Sequence, residues 1–271
     1  MTTDETSAAT RKPAGHGEAP ILEVVDATMR FGAVTALDGV NLTLHKGEIL
    51  ALLGDNGAGK STIIKCISGV QQLTEGQILL DGEPVSPRTP KEAKELGIET
   101  VYQDLSLFDN MSAAQNFFAG REMTWPKWLG PLGLVRKRTM SQLAAKVLER
   151  LQVGVHDPNG PVGLMSGGQR QAVAVARAEA WAKRIIILDE PTAALGVRES
   201  HNVMELVKRL PQKGISVILI SHNLEEVMAV ADRAIVFRQG KLVGEAKPTK
   251  ENHELLVSMI VGASSPLKSW S

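Results

Sequence analysis

The chain has 271 residues, with 30 Lys+Arg against 30 Asp+Glu and a formal net charge of zero. That length buries one substantial core, or one core with a smaller lobe attached. The charge balance lacks the basic excess of a protein that lives on nucleic-acid backbones, so no nucleic-acid partner is expected. The single cysteine, Cys66, excludes an internal disulfide and fits a reducing compartment.

In chain order, residues 1–20 (MTTDETSAATRKPAGHGEAP) are polar and lack an apolar h-region, which predicts a disordered tail rather than a signal peptide. No apolar run approaches the ~18–20 residues that span a bilayer, so a cytosolic chain is expected. ILEVVDATMRF and VNLTLH predict two antiparallel strands connected by GAVTALDG. EILALLG (48–54) is a buried strand entering a Gly-rich turn and a helix from Lys60 to about Ser68. EGQILLDG (75–82) and GIETVYQ (97–103) are further strands. From Asp104 to about Gly163 the pattern turns helical, with no convincing strand, and includes the irregular WPKWLGPLGL; this predicts an inserted helical lobe. A long alanine-rich helix follows to about 183. Strands resume at RIIILDE (184–190), SVILISH (216–222) and RAIVFRQG (233–240), and a helix near 249–261 closes a domain spanning 21–262. Residues 263–271 form a Ser-rich tail. Such alternation of apolar runs with helical patterns argues for an α/β domain with a largely parallel sheet.

GDNGAGKS, Gly54 to Ser61, matches G-x-x-x-x-G-K-[ST], with a strand before it and a helix after it as the mechanism requires. Gly54, Gly57 and Gly59, with Asp55, Asn56 and Ala58 between them, let the backbone wrap a polyphosphate so that successive N–H groups point inward. Lys60 is expected to reach the β- and γ-phosphates and Ser61 to offer its hydroxyl to Mg²⁺; Thr62 completes the nucleotide-binding set. IIILDEP (185–191) delivers Asp189 and Glu190 to the C-terminal edge of the sheet, where ligands bind in open α/β folds. Asp189 is the expected Mg²⁺ holder, directly or through water. Glu190 would orient, or take a proton from, the water that attacks the γ-phosphate, an effect worth on the order of 10²–10⁴ in rate.

Three further candidates rest on position. Gln103, at a strand end, could reach both Mg²⁺ and the attacking water, or be surface filler. His222 ends the next strand after the acids and is either structural or a donor to the γ-phosphate. Phe31 is either a platform for adenine or a core side chain at a sheet edge. MSGGQ (165–169) contains no acid, base or nucleophile, yet Ser166 and Gln169 fit a capping box at a helix start. Gly167 and Gly168 would leave its amides bare for an anion.

Phe31, GDNGAGKS, Gln103, MSGGQ, IIILDEP and His222, in that order, resemble the ATP-binding subunit of an ABC transporter over roughly residues 21–262. MSGGQ decides it, because P-loop kinases and GTPases lack such a segment. The resemblance implies a P-loop NTPase fold of the ABC ATPase type: a mixed central sheet, an antiparallel β subdomain and an inserted helical lobe. It implies that Ser166, Gly167, Gly168 and Gln169 grip an ATP cradled by a second copy, so that a head-to-tail homodimer completes two sites. EPTAALG (190–196) departs from the family in ending on Gly196, where an Asp that helps the two sites communicate is usual.

At a finer level GDNGAGKST, TVYQDLSLFDNMSAAQNFFAGRE and EPTAALGVRES are similar to subunits of bacterial monosaccharide importers. The implied partners are two membrane permease chains and, indirectly, an extracytoplasmic sugar-binding protein, with this chain peripheral on the inner membrane face. Phe108, Phe117, Phe118 and Met111 are then either lobe core or a groove for a permease helix. A soluble ABC-type ATPase acting on DNA or ribosomes would be expected to show coiled-coil insertions, tandem cassettes or a basic excess. A regulatory, non-hydrolysing module is opposed by Glu190 and His222.

Overall fold

Strands that are apolar on both faces must be covered on both faces, and this chain has three: β3 (Ile49–Leu53), β9 (Ile185–Asp189) and β10 (Ser216–Ile220). All their residues are buried except Asp189 at the last position of β9. A computed structural model describes residues 19–126, 128, 133–150, 159–193 and 195–262. The expected tails lie outside it apart from residues 19 and 20, as does part of the Pro/Gly-rich loop after Trp125.

The amino-terminal hairpin pairs β1 (Leu22–Phe31) with β2 (Val34–Leu44) in antiparallel register. GAVTALDG is therefore not a connection: only Gly32 and Ala33 turn the chain, and the rest is strand. Gly32 has φ 58°, which permits so tight a turn, and register shifts along the pair accommodate Gly39 (φ 62°) inside β2. After α1 (Lys60–Ile67), β4 (Glu75–Leu80) and β5 (Glu83–Val85) complete a four-stranded antiparallel sheet in the order β2-β1-β4-β5.

Next come α2 (Pro90–Glu95) and β6 (Ile98–Val101), and then the lobe with α3 (Ala113–Phe118) and α4 (Lys137–Arg150). Between these two helices Thr124–Trp125 (β7) and Leu134–Val135 (β8) pair as a short hairpin, which corrects the expectation of a strandless lobe. Two-residue strands are too brief to show a period in sequence.

Helix α5 (Gly167–Trp181) leads into β9, α6 (Val197–Arg209) into β10, and α7 (Leu224–Val230) into β11 (Arg233–Arg238). β12 (Lys241–Ala246), unforeseen in the sequence, returns through Gln239 and Gly240, both with positive φ, as a hairpin edge. The chain closes on α8 (His253–Val261). The central sheet runs β12-β11-β3-β10-β9-β6, with every pairing parallel except β11 with β12. Arg233 ties the two sheets together, donating to Glu48 Oε1 at 2.8 Å, Glu245 Oε2 at 2.8 Å and Thr43 O at 2.7 Å.

The lobe is not a separate bead. Its buried residues Ala113, Phe117, Met140 and Leu148 share one cluster with Ile186 and Leu188 of the sheet, through Val173–Ala176 of α5. Asn116, wholly buried in α3, fastens the segment leading into that helix. Its amide donates to Phe108 O (3.1 Å), Met111 O (3.3 Å) and Ser112 O (3.1 Å), and its Oδ1 accepts from Phe108 N (2.8 Å).

Truncating Asn116 to Ala leaves the Phe108 N–H without its acceptor, at about 1–3 kcal/mol where water cannot replace the bond, and takes one of two donors from each of the Phe108, Met111 and Ser112 carbonyls. The expected result is a lower urea midpoint and faster limited proteolysis after Phe108, with the far-UV circular dichroism of the folded protein retained.

Candidate functional site

The chemistry gathers where β3, β9 and β10 end. β3 stops at Leu53, and Gly54 turns at φ 135°; a Cβ there would collide with the Phe237 carbonyl oxygen. Gly59 caps α1 at φ 109°, and a Cβ would sit 3.0 Å from both Ala36 O and Leu37 Cδ2. Glycine is required at both positions by conformation and by close approach. Of residues 56–59 only Ala58 returns its N–H to the loop, to Asp55 O at 3.1 Å. The neighbouring amides have no acceptor within the loop, as an anion nest at the start of α1 requires.

Lys60 is 7 % exposed. Its ammonium donates to Gly54 O at 2.6 Å and Asp55 O at 2.9 Å, bracing the loop. Burial pulls its pKa below the ordinary lysine value, against the opposing pull of Glu190, Asp189 and Asp55. Asp189 shows the reverse: burial pushes its carboxyl up and Glu190 adds to the push, while Lys60 and Lys65 resist. A buried carboxylate held above its usual range is a group short of positive charge. Among the described residues no three His, Cys, Asp or Glu side chains cluster as a metal cage. A hard divalent cation held by one carboxylate, the neighbouring Ser61 hydroxyl and phosphate oxygens fits this donor set, the usual pattern for Mg²⁺ on a nucleotide.

Glu190 follows β9 with φ 48°, an uncommon value for a residue with a Cβ, and its N–H donates to Ile220 O at 3.0 Å. Its Oε1 lies 3.5 Å from His222 Nδ1, so the acid and the imidazole predicted from separate strands are neighbours. Gln103 falls two residues beyond the end of β6 and is exposed. It lines a cleft together with Gly167, Arg170, Gln171 and Glu190. Phe31, at the tip of the β1–β2 hairpin, is 46 % exposed and so is not a core side chain.

Ser166 caps α5 as its sequence suggests: its Oγ accepts from Gln169 N at 3.2 Å, and Gln169 Oε1 accepts from Ser166 N at 3.0 Å. The carbonyls of Met111 and Asp109 tie the segment after Gln103 to the residues just before this cap. Val162 N donates to Met111 O at 2.9 Å, and Gly163 N donates to Asp109 O at 3.0 Å. Arg170, immediately after the cap, closes the link with a 2.6 Å ion pair to Asp109. The aromatic set divides: Phe117 and Phe118 are core, whereas Phe108 (54 %) and Met111 (39 %) are exposed.

Glu226, not among the residues expected from the sequence, holds the segments that carry Glu190 and His222 together. Its Oε2 accepts from Thr192 Oγ1 at 2.6 Å and from Ser221 Oγ at 3.3 Å. The available signal was Asn223 followed by two acids, a helix N-terminus; its partners across the fold were not legible.

Fold and site together define a P-loop ATPase. The sequence matches the ABC transporter family over residues 37–193. It is 45% identical over 251 residues to the fructose import ATP-binding protein of Rhizobium meliloti, covering 91% of this chain and 96% of that one. It is 44% identical over 240 residues to the xylose/arabinose import ATP-binding protein of Sulfolobus acidocaldarius, covering 89% and 93%. The fold superposes on a nucleotide-free ATP-binding cassette from an ABC transporter with TM-score 0.77 at 27% identity, covering 90% of this chain and 98% of that one. A dimeric cassette bound to ADP and Pi matches with TM-score 0.69 at 26% identity, covering 84% and 98%. The chain belongs to the ABC transporter family.

Because the folded state raises the Asp189 pKa, that group's contribution to stability is present below the unfolded carboxylate pKa and is lost as pH rises through the folded value. At neutral pH the ionised Asp189 is a net cost to the nucleotide-free protein. Asp189→Asn should therefore raise Tm at pH 7, while steady-state ATPase is lost. The Tm gain should shrink as the pH is lowered towards the carboxylate range.

Proposed function

We propose that this chain is the ATP-hydrolysing subunit of a membrane importer for a monosaccharide, acting as a pair of copies beneath permease chains. The sugar class follows the import proteins for fructose and for xylose/arabinose, which align along nearly their whole lengths. Among the described residues no helix is long and apolar enough to cross a membrane. In this reading the membrane passage belongs to two permease subunits, a secreted sugar-binding protein supplies cargo, and this chain sits on the inner face.

Residues Gly54–Thr62 cradle the triphosphate and Phe31 offers its exposed ring to adenine. Mg²⁺, when bound, would offset charge on the β- and γ-phosphates, with Ser61, Gln103 and Asp189 as its protein-side contacts. Lys60 turns its ammonium from its own loop carbonyls to the phosphates. Glu190 orients the attacking water and accepts its proton; His222, beside it, donates to the oxygen on which charge develops. The capped start of α5 carries the reading. It offers the amides of Gly167 and Gly168 as an anion site, beside a capping box that already engages Ser166 and Gln169, and the γ-phosphate of a second copy's ATP supplies the anion. ATP would then contact both copies only when they are closed, which is the differential affinity a closure needs.

The expected behaviour of Glu190→Gln is an ATP-dependent dimer that persists because hydrolysis is blocked, with ATPase reduced by at least 10²-fold. Size-exclusion chromatography with ATP and with ADP checks it; a Glu190→Gln protein that stays monomeric in ATP removes the two-copy reading.

Phe108 and Met111 are the exposed pair on the segment bonded both to Asn116 and to the approach to α5, and they are the proposed seat of a short permease helix. Phe108→Asp should abolish sugar uptake in cells while the isolated subunit keeps its ATPase within about twofold, since an exposed site away from the nucleotide costs little. Uptake and ATPase measured side by side decide this; unchanged uptake would move the seat elsewhere.

A further inference from the structure

One glutamate, Glu199, packs its stem against Gly168 and reaches over Gly196. Gly168 lies in the first turn of α5, and a Cβ placed on it would come within 2.5 Å of Glu199 Cγ and 2.7 Å of Glu199 Cβ. Gly196 caps α6 at φ −70° and ψ 166°, and a Cβ there would come within 2.7 Å of Glu199 Oε2. Neither residue has the positive φ that makes glycine necessary on backbone grounds. At Gly168 the obstacle to a larger residue is the Glu199 stem, which lies against that helix start; over Gly196 lies only the carboxylate end of the same side chain, which can swing aside. Among the described residues that carboxylate has no hydrogen-bond donor. Its contact with the two glycines is therefore one of shape. The Glu199 carboxylate, one turn along α6, occupies the space a side chain at 196 would enter.

We infer that Glu199 is a positioning residue: it sets the Gly167–Gly168 amides of one copy at the right height for the ATP held by the other. The inference rests on the two-copy reading above. Glu199 lies in the first turn of α6, the helix that follows the Glu190 segment, so the same side chain touches both the start of α5 and the cap of α6. Without the stem, the start of α5 loses the stop that Glu199 provides, and the amides no longer meet the phosphate together. The monomer's own cradle is built from other residues and is untouched.

The test uses the full chain in the Glu190→Gln background. The ATP concentration for half-maximal dimer is measured by light scattering, and ADP affinity of the monomer by calorimetry. Glu199→Ala should raise the dimer midpoint about tenfold, the size of effect expected for removing one packed contact from an interface. ADP affinity should stay within about twofold. Glu199→Gln, which keeps the shape without the charge, should match the parent in both. The inference is overturned if Glu199→Ala leaves the midpoint unchanged, if it weakens ADP binding equally, or if Glu199→Gln behaves like Ala. Should Glu199→Ala fail to fold, Glu199→Asp, shorter by one methylene, makes the same comparison. A Glu190→Gln parent that never dimerises in ATP sinks the two-copy reading, and this inference with it.

Discussion

Lys60, Asp189 and Glu190 are charged groups gathered at one edge of an otherwise apolar sheet, and the rest of the molecule is arranged around the cost of keeping them there. Lys60 is nearly enclosed and Asp189 stands at the end of a wholly buried strand, so each is pushed towards its neutral form. Mutual attraction offsets part of that cost and leaves a remainder. A polyanion with a divalent cation would discharge the remainder: phosphate oxygens complement Lys60, and the cation complements Asp189. Binding and catalysis thus start from a site that is electrostatically unfinished in the protein alone.

The strain has supports, and each crosses the chain's connectivity. Glu190 keeps its unusual backbone conformation because its N–H is claimed by Ile220 on the adjacent strand. Glu226 accepts from Thr192 and from Ser221, so it bridges the segments carrying Glu190 and His222. On the lobe side, Asp109 is bonded to Gly163 and paired with Arg170, which joins the exposed Phe108–Met111 segment to the first turn of α5. A displacement imposed on that segment has a short, hydrogen-bonded route to the amides of Gly167 and Gly168. Few rotatable bonds lie between them.

Much of this was readable beforehand because it is local. GDNGAGKS, the capping box at Ser166 and Gln169, and the acids closing β9 each encode a backbone conformation within a few residues, and the structure holds them so. The parallel core strands were legible because strands covered on both faces must be continuously apolar. The β1–β2 connection was misjudged because a two-residue turn at Gly32 left no polar break. The β7–β8 hairpin and β12 were missed because two residues show no period, and because Gln239 adopts positive φ without being an Asn or Gly.

The sequence by itself determined which residue types could bind a phosphate and in what order they come, since helix caps, glycine turns and buried strands depend on spacing of a few positions. Only the tertiary structure decided which of them are neighbours. It divided Phe108 from Phe117, brought His222 to 3.5 Å from Glu190, and set Glu199 against both Gly168 and Gly196. The physical reason is that these contacts join separate strands and helices. Their distances are set by how the sheet and α5 pack, which no window of a few residues contains.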